Sequence, residues 1–281
     1  MKFGVTTYLW SAEFGASQLS ILPHIKELGF DGAEVPLFRP RDFPAARIRR
    51  AFETERLACV ASSVLTGDLS LISDEVSVRR RTGQHLEEVV RAAAAAGATL
   101  VAGPLYSPVG LLVGRRRTDD EWHRAVEGLQ ALGPTLASCN VTLAIEPLNR
   151  FETYFLNTAA DACALCDAVG DSRVGVLLDT FHANIEEKQL GSAFRAAGSR
   201  LAHVHTCEND RGTPGTGHVA WDDVFQALRE IHYDGWLTIE SFGFTLGDLS
   251  AAAAIWRDIA PDVDSLASEG LRFLRRHAGA G

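Results

Sequence analysis

No apolar run in this 281-residue chain approaches the roughly 20 residues that a membrane-spanning helix needs, so no transmembrane segment is expected. The opening residues, MKFGVTTYLWSAEFG, lack a long apolar core and a small-residue cleavage site, which argues against a signal peptide. Cysteines are few and odd in number: five, scattered at positions 59, 139, 163, 166 and 207. In a chain of this length they imply free thiols in a reducing compartment, and the cytoplasm is the expected location. Positive charge is also short. With 27 Lys and Arg against 36 Asp and Glu, the net charge is −9. A nucleic-acid groove needs clustered cations to replace phosphate counterions, so no nucleic-acid partner is expected. The short basic runs at 47–50, 79–82 and 114–118 read as solvated helix faces or turns.

Three motifs are incomplete. The segment after the first apolar run, TTYLWSAEFG, is not the glycine-rich phosphate turn of a dinucleotide fold. GTPGTGH (212–218) lacks the Lys-Ser/Thr of a phosphate loop and is expected to be a mobile loop near an active-site rim. Cys163-x-x-Cys166 lies in a helical stretch without a second pair, which points to buried thiols. No Pro/Gly/Ser-rich linker interrupts the chain, so residues 1–281 are expected to form one domain.

What is present is an alternation. Strand-like runs lie at 3–7, 32–36, 57–62, 99–104, 141–147, 174–179, 201–206 and 236–241, each followed by a helical pattern. One long helix is expected over 118–140 and a helical tail over about 248–277. Strands joined by helices run parallel, and eight such units specify an α/β chain closed as a single (β/α)8 TIM barrel. In that architecture the chemistry gathers at the C-terminal ends of the strands. Four consecutive strands end in Glu146, Asp179, His205 and Glu240, spaced by about one strand–helix unit.

Three carboxylates meeting at an apolar barrel mouth would repel one another and resist desolvation. A divalent cation removes both problems. Three carboxylate oxygens and an imidazole suit Mn²⁺ or Mg²⁺, and Co²⁺ or Zn²⁺ less specifically. His203 shares a strand face with His205 and is expected to be a hydrogen-bonded neighbour rather than a ligand. His182, placed on the loop after Asp179, is either a second metal ligand or a substrate contact. Arg211 lies on the seventh loop, where a guanidinium could hold sugar hydroxyls or be a solvated charge, and Glu152 lies on the fifth loop, where its plain reading is a solvent-facing charge.

The segments EPLNRFE (146–152), LDTFHANIEE (178–187), HVHTCENDRGTPGTGHVAWDDVF (203–225) and YDGWLTIESF (233–242) together carry a resemblance. From Phe3 to His277 the chain resembles the ketose 3-epimerases, the D-tagatose and D-psicose (D-allulose) 3-epimerase group of the xylose-isomerase-like sugar isomerase/epimerase barrels. The resemblance implies that Glu146, Asp179, His205 and Glu240 bind one Mn²⁺, Co²⁺ or Mg²⁺. It implies that Glu152, His182 and Arg211 hold O1 to O3 of a free ketose, and that Glu146 and Glu240 double as an acid/base pair inverting C3 through a cis-enediolate. Homodimers or homotetramers are expected. The chain departs from the pattern at IESF, where relatives often have EPF, at Thr6, where several place an aromatic residue over the sugar, and at Phe14, where some have tryptophan. These departures bear on which sugar is preferred. An aldose–ketose isomerase of the L-rhamnose or hydroxypyruvate type, and an inosose dehydratase-type lyase, are the alternatives on the same barrel. A DNA-repair nuclease of the endonuclease IV kind shares the barrel too, but its three zinc ions and basic face fit this composition poorly.

Overall fold

Each strand is short and nearly all of it is buried, because helices cover one face and the barrel interior the other. The computed structural model describes residues 1–279; the last two residues of the expected domain lie outside them. The strands are β1 (Lys2–Thr6), β2 (Gly32–Pro36), β3 (Ala58–Ser62), β4 (Leu100–Gly103), β5 (Thr142–Ile145), β6 (Val174–Asp179), β7 (Leu201–His205) and β8 (Trp236–Ile239). All pair in parallel and in chain order, and β8 returns to β1 to close the barrel. The eight-stranded (β/α)8 barrel expected from the alternation is the fold observed.

The helices are α1 (Ile21–Leu28), α2 (Ala45–Glu55), α3 (Val76–Ala95), α4 (Asp119–Gln130), α5 (Gly133–Cys139), α6 (Ala159–Val169), α7 (Thr180–Glu186), α8 (Leu190–Ala197), α9 (Trp221–Glu230), α10 (Asp248–Ala252) and α11 (Val263–His277). Two expected helices are each split. The 118–140 segment breaks between α4 and α5, where Pro134 cannot continue the hydrogen-bond ladder and instead sits in the first turn of α5. The tail breaks between α10 and α11. Pro261 falls in the gap, and Asp262 restarts the helix by capping the Ser265 N–H at 2.7 Å. None of these helices is long and apolar enough to cross a membrane.

Alternation along the strands divides the apolar side chains into two cores. Leu143, Ile145, Val176, Leu178 and Ile239 face the helices, while Val60, Leu100, Ala102, Ala144 and Leu177 fill the barrel interior. Trp236 packs against the interior set, and a methyl on Gly32 would lie 2.6 Å from its ring. That position therefore admits no side chain.

Two backbone irregularities set the rim. A register shift between Val176 and Leu177 brings Asp179 opposite His205 on the neighbouring strand. At the end of β4, Gly103 has φ +135°, and a Cβ there would lie 2.1 Å from the Ser63 carbonyl oxygen. Its own carbonyl accepts from the Glu146 N–H at 3.1 Å. Gly103→Ala should cost about 3 kcal/mol or more, since both conformation and backbone packing forbid the methyl. Thermal unfolding checks it: a melting temperature unchanged from wild type would contradict the assigned backbone.

A candidate metal centre at the barrel mouth

Strands β5 to β8 deliver four side chains to one point. Glu146 follows β5, Asp179 ends β6, His205 ends β7 and Glu240 follows β8. One ligand atom from each lies within 4.8 Å of the others, and all four residues are buried. The imidazole Nδ1 of His205 is buried with no hydrogen-bond partner among the described residues and faces Glu240 Oε1 at 3.5 Å. An orphaned nitrogen among three carboxylates is a donor set that fits a divalent cation.

Asp179 also caps a helix. Its Oδ1 accepts from the Phe181 N–H at 2.8 Å and starts α7, leaving Oδ2 for the cluster. His182 therefore stands on a helix, not on the loop expected for it, because the cap begins the helix directly after the strand. The Asn149 N–H and side-chain amide donate to its Nδ1 at 3.2 and 2.9 Å. Its Nε2 lies 3.2 Å from Arg211 Nη2, which can only donate, and 3.7 Å from both Glu146 Oε1 and Asp179 Oδ2, so both ring nitrogens face donors. Burial pushes its pKa down to about 3, so the ring is neutral at physiological pH.

Arg211 enters the same cluster. Its Nη1 donates to Asp179 Oδ2 and to Glu240 Oε2, both at 2.7 Å, and its guanidinium stacks 4.0 Å from the centre of the Phe181 ring. Glu152 is half-buried rather than solvent-facing, and its Oε1 accepts from the Asn149 amide at 2.8 Å. Burial raises its pKa. All seven candidate residues are thus drawn toward one rim.

The carboxylates of Glu146 and Glu240 titrate in opposite directions. Burial and the charge of Glu240 push Glu146 well above the usual carboxylate range. Burial alone would raise Glu240 as well, but His205 and Arg211 outweigh it and bring Glu240 down to about 2.

Three further residues escaped the sequence reading. Glu34, on β2, is buried and contacts Nε2 of both His203 and His205. A lone carboxylate inside the apolar run GAEVP was its signal. Tyr8 stacks on Phe242 at 5.3 Å and its hydroxyl pairs with Ser62 at 3.2 Å. It supplies an aromatic ring beside the site, two residues beyond the Thr6 position. Glu208, fully buried, accepts from the N–H groups of Gly215 and Val219 and from the Trp221 indole at 2.8 to 3.0 Å. The 212–218 segment expected to be mobile is therefore fastened from within. Cys163 and Cys166 are buried free thiols, as expected, and burial pushes the Cys166 pKa to about 12.

Residues 22–277 match the Xylose isomerase-like TIM barrel family. A probable ketose 3-epimerase of Synechocystis sp. is 37% identical over 98% of this chain and 96% of its own length. A D-psicose 3-epimerase of Enterocloster bolteae is 33% identical over 99% of this chain and 96% of its own. Among solved structures, an L-ribulose 3-epimerase superposes with a TM-score of 0.93 at 32% identity, covering 99% of this chain and 94% of that one. A D-psicose 3-epimerase crystallised in the presence of D-fructose gives 0.91 at 31% identity, with both chains covered completely. On this likeness in sequence and shape along nearly its whole length, the chain belongs to the xylose isomerase-like TIM barrel family, within its ketose 3-epimerase group, and is an enzyme of the isomerase class.

Proposed function

We propose that this enzyme inverts C3 of a free, unphosphorylated ketose such as D-tagatose, D-fructose/D-psicose or L-ribulose. The observation that carries the reading is the pair Glu146 and Glu240, two buried carboxylates that β5 and β8 deliver to one cluster. Such a pair can hold one acid and one base at the same pH. C3 inversion needs both, because a proton must leave one face of the carbon and return to the other. One of the two, as the carboxylate, takes the C3 proton, and the other, carrying a proton, delivers it to the opposite face. Substrate of the other configuration uses the same pair with roles exchanged. Glu146, Asp179, His205 and Glu240 would hold a divalent cation, Mn²⁺ first with Co²⁺ or Mg²⁺ as alternates, whose chemistry is polarisation of the C2 carbonyl.

The remaining residues orient the sugar. Arg211, His182 and Glu152 hold O1 to O3, aligning the C3–H bond with the base. The His182 Nε2 faces the same cluster, 3.2 Å from Arg211 Nη2, and stands where a sugar oxygen would meet both side chains. Arg211 is engaged by two carboxylates, which suits an uncharged sugar better than a phosphate ester. Tyr8, Phe38 and Phe242 form an aromatic wall near Glu240, fit to cover the apolar face of a sugar. We read the enzyme as a cytoplasmic, single-domain protein, assembled as a homodimer or homotetramer. Leu112 and Phe151, large apolar residues exposed on the loops after β4 and β5, are surface that such an assembly would cover.

The test is a panel of free ketoses incubated with Mn²⁺, with products separated by chromatography. A second ketose is expected from at least one sugar, and stripping with EDTA should remove about 99% or more of that activity. An aldose product would make the enzyme a 1,2-isomerase, and a product absorbing in the ultraviolet would make it a dehydratase. Undiminished turnover in the chelated sample would overturn the cation's role.

A further inference from the structure

Strand β2 reaches into the candidate centre without contributing a ligand to it. Glu34 is 1% exposed, and among the described residues no Lys or Arg is paired with it. Its Oε2 lies 2.8 Å from His203 Nε2 and its Oε1 lies 3.0 Å from His205 Nε2. The two imidazoles meet edge to face, with centroids 5.1 Å apart and planes at 79°. β2 and β7 are not neighbours in the barrel, so this contact crosses the interior and does not follow from strand pairing.

An ionised carboxylate only accepts hydrogen bonds, so each ring must present a proton at Nε2. For His205 that choice decides the chemistry. With the proton on Nε2, Nδ1 keeps its lone pair and points it at Glu240 Oε1, 3.5 Å away. The other tautomer would aim an N–H into the carboxylate cluster. We infer that Glu34 is a positioning residue: its carboxylate, held by two imidazoles, fixes the His205 tautomer and ring orientation so that Nδ1 is the nitrogen offered to a cation. The inference rests on reading the Glu146, Asp179, His205 and Glu240 cluster as a cation site.

Two features favour this role over bare structural support. One hydrogen bond would hold the His205 ring but leave the carboxylate free to turn about its terminal torsion. The second bond, to His203, removes that freedom and gives His203 a purpose without making it a ligand. A buried carboxylate is also costly, and well-packed apolar residues generally replace such groups without loss of stability. Glu34, His203 and His205 could themselves be imagined as a second metal site. Their contacts are at hydrogen-bond distance, the three are sealed at 0 to 1% exposure, and a cation there would need both shared protons removed.

Glu34→Gln tests the inference. A glutamine offers one acceptor and one donor group, so it can accept from only one imidazole, and its NH₂ confronts the other. The Mn²⁺ dissociation constant, measured by calorimetry on the full chain after chelator stripping, should rise by about 10- to 100-fold. In Zn²⁺-loaded wild type, with Zn²⁺ as a diamagnetic probe, ¹⁵N NMR should find the His205 proton on Nε2. A folded Glu34→Gln protein with wild-type Mn²⁺ affinity overturns the inference. So does a His205 proton on Nδ1, a result that stands even if the variant does not fold. If wild type binds no Mn²⁺ at all, the cation reading of the cluster fails first, and this proposal with it.

Discussion

Glu240→Gln is expected to lower turnover by about 10³- to 10⁴-fold, the share that a positioned acid or base commonly contributes, while leaving the barrel folded. The amide keeps the size of the side chain and one oxygen, which can still accept from Arg211 Nη1 as Glu240 Oε2 does at 2.7 Å. What it loses is the ability to take a proton from carbon. Incubation in D₂O separates this loss from weaker binding. Wild type should wash deuterium into C3 of both epimers, and the variant should wash it into neither. Glu146→Gln should fail equally in both directions, because each group acts once per turnover. The two substitutions should not add. Once one partner is lost the proton has no route through the site, so the double variant should be little worse than either single one. A Glu240→Gln enzyme that epimerises within tenfold of wild type would remove Glu240 from the chemistry.

The barrel was legible because its signal is repeated. Each strand is a short apolar run closed by polar residues, and eight such runs leave few architectures open. The rim was legible for a related reason. Glu146, Asp179 and Glu240 are carboxylates that end apolar runs, where an uncompensated charge is costly, and their spacing matches the repeat. Contacts that cross the barrel were not legible. Glu34 stands inside GAEVP on β2 and its partners are on β7, and no local spacing links positions 34, 203 and 205. His182 was assigned to a loop because the hydrophobic run stops at Asp179, yet one carboxylate oxygen is enough to start α7 there. The 212–218 segment looked mobile from its glycines, but its fastening comes from Glu208, whose four donors lie between Asn209 and Trp221. In each case the missing information is which buried polar group meets which, and that is fixed by tertiary packing rather than by periodicity.

Arg211→Met should destabilise the metal-free protein by about 3 to 5 kcal/mol, the usual consequence of removing one partner from a buried ion pair. The methionine keeps the apolar stem against Phe181 but removes the guanidinium that holds Asp179 Oδ2 and Glu240 Oε2 at 2.7 Å each. Without it, three buried carboxylates face only the imidazoles. For a chain of this size the melting temperature should fall on the order of 10 °C. Part of the loss should be recovered at lower pH, since protonation of the stranded carboxylates relieves their repulsion. Mn²⁺ should recover more, because a divalent cation meets the same oxygens that Arg211 holds in its absence. Added Mn²⁺ should therefore raise the melting temperature of the variant by more than it raises that of wild type. Equal increments in the two proteins, or a metal-free variant as stable as wild type, would mean that the guanidinium and the cation do not serve the same carboxylates. The left-handed backbone at Arg211, φ +65°, sharpens the comparison. The loop keeps that strained residue through the Arg211 N–H to Glu208 oxygen bond at 3.0 Å and the Ser241 hydroxyl to Arg211 carbonyl bond at 2.5 Å, neither of which the substitution touches. The loss measured is then one of charge and not of loop shape.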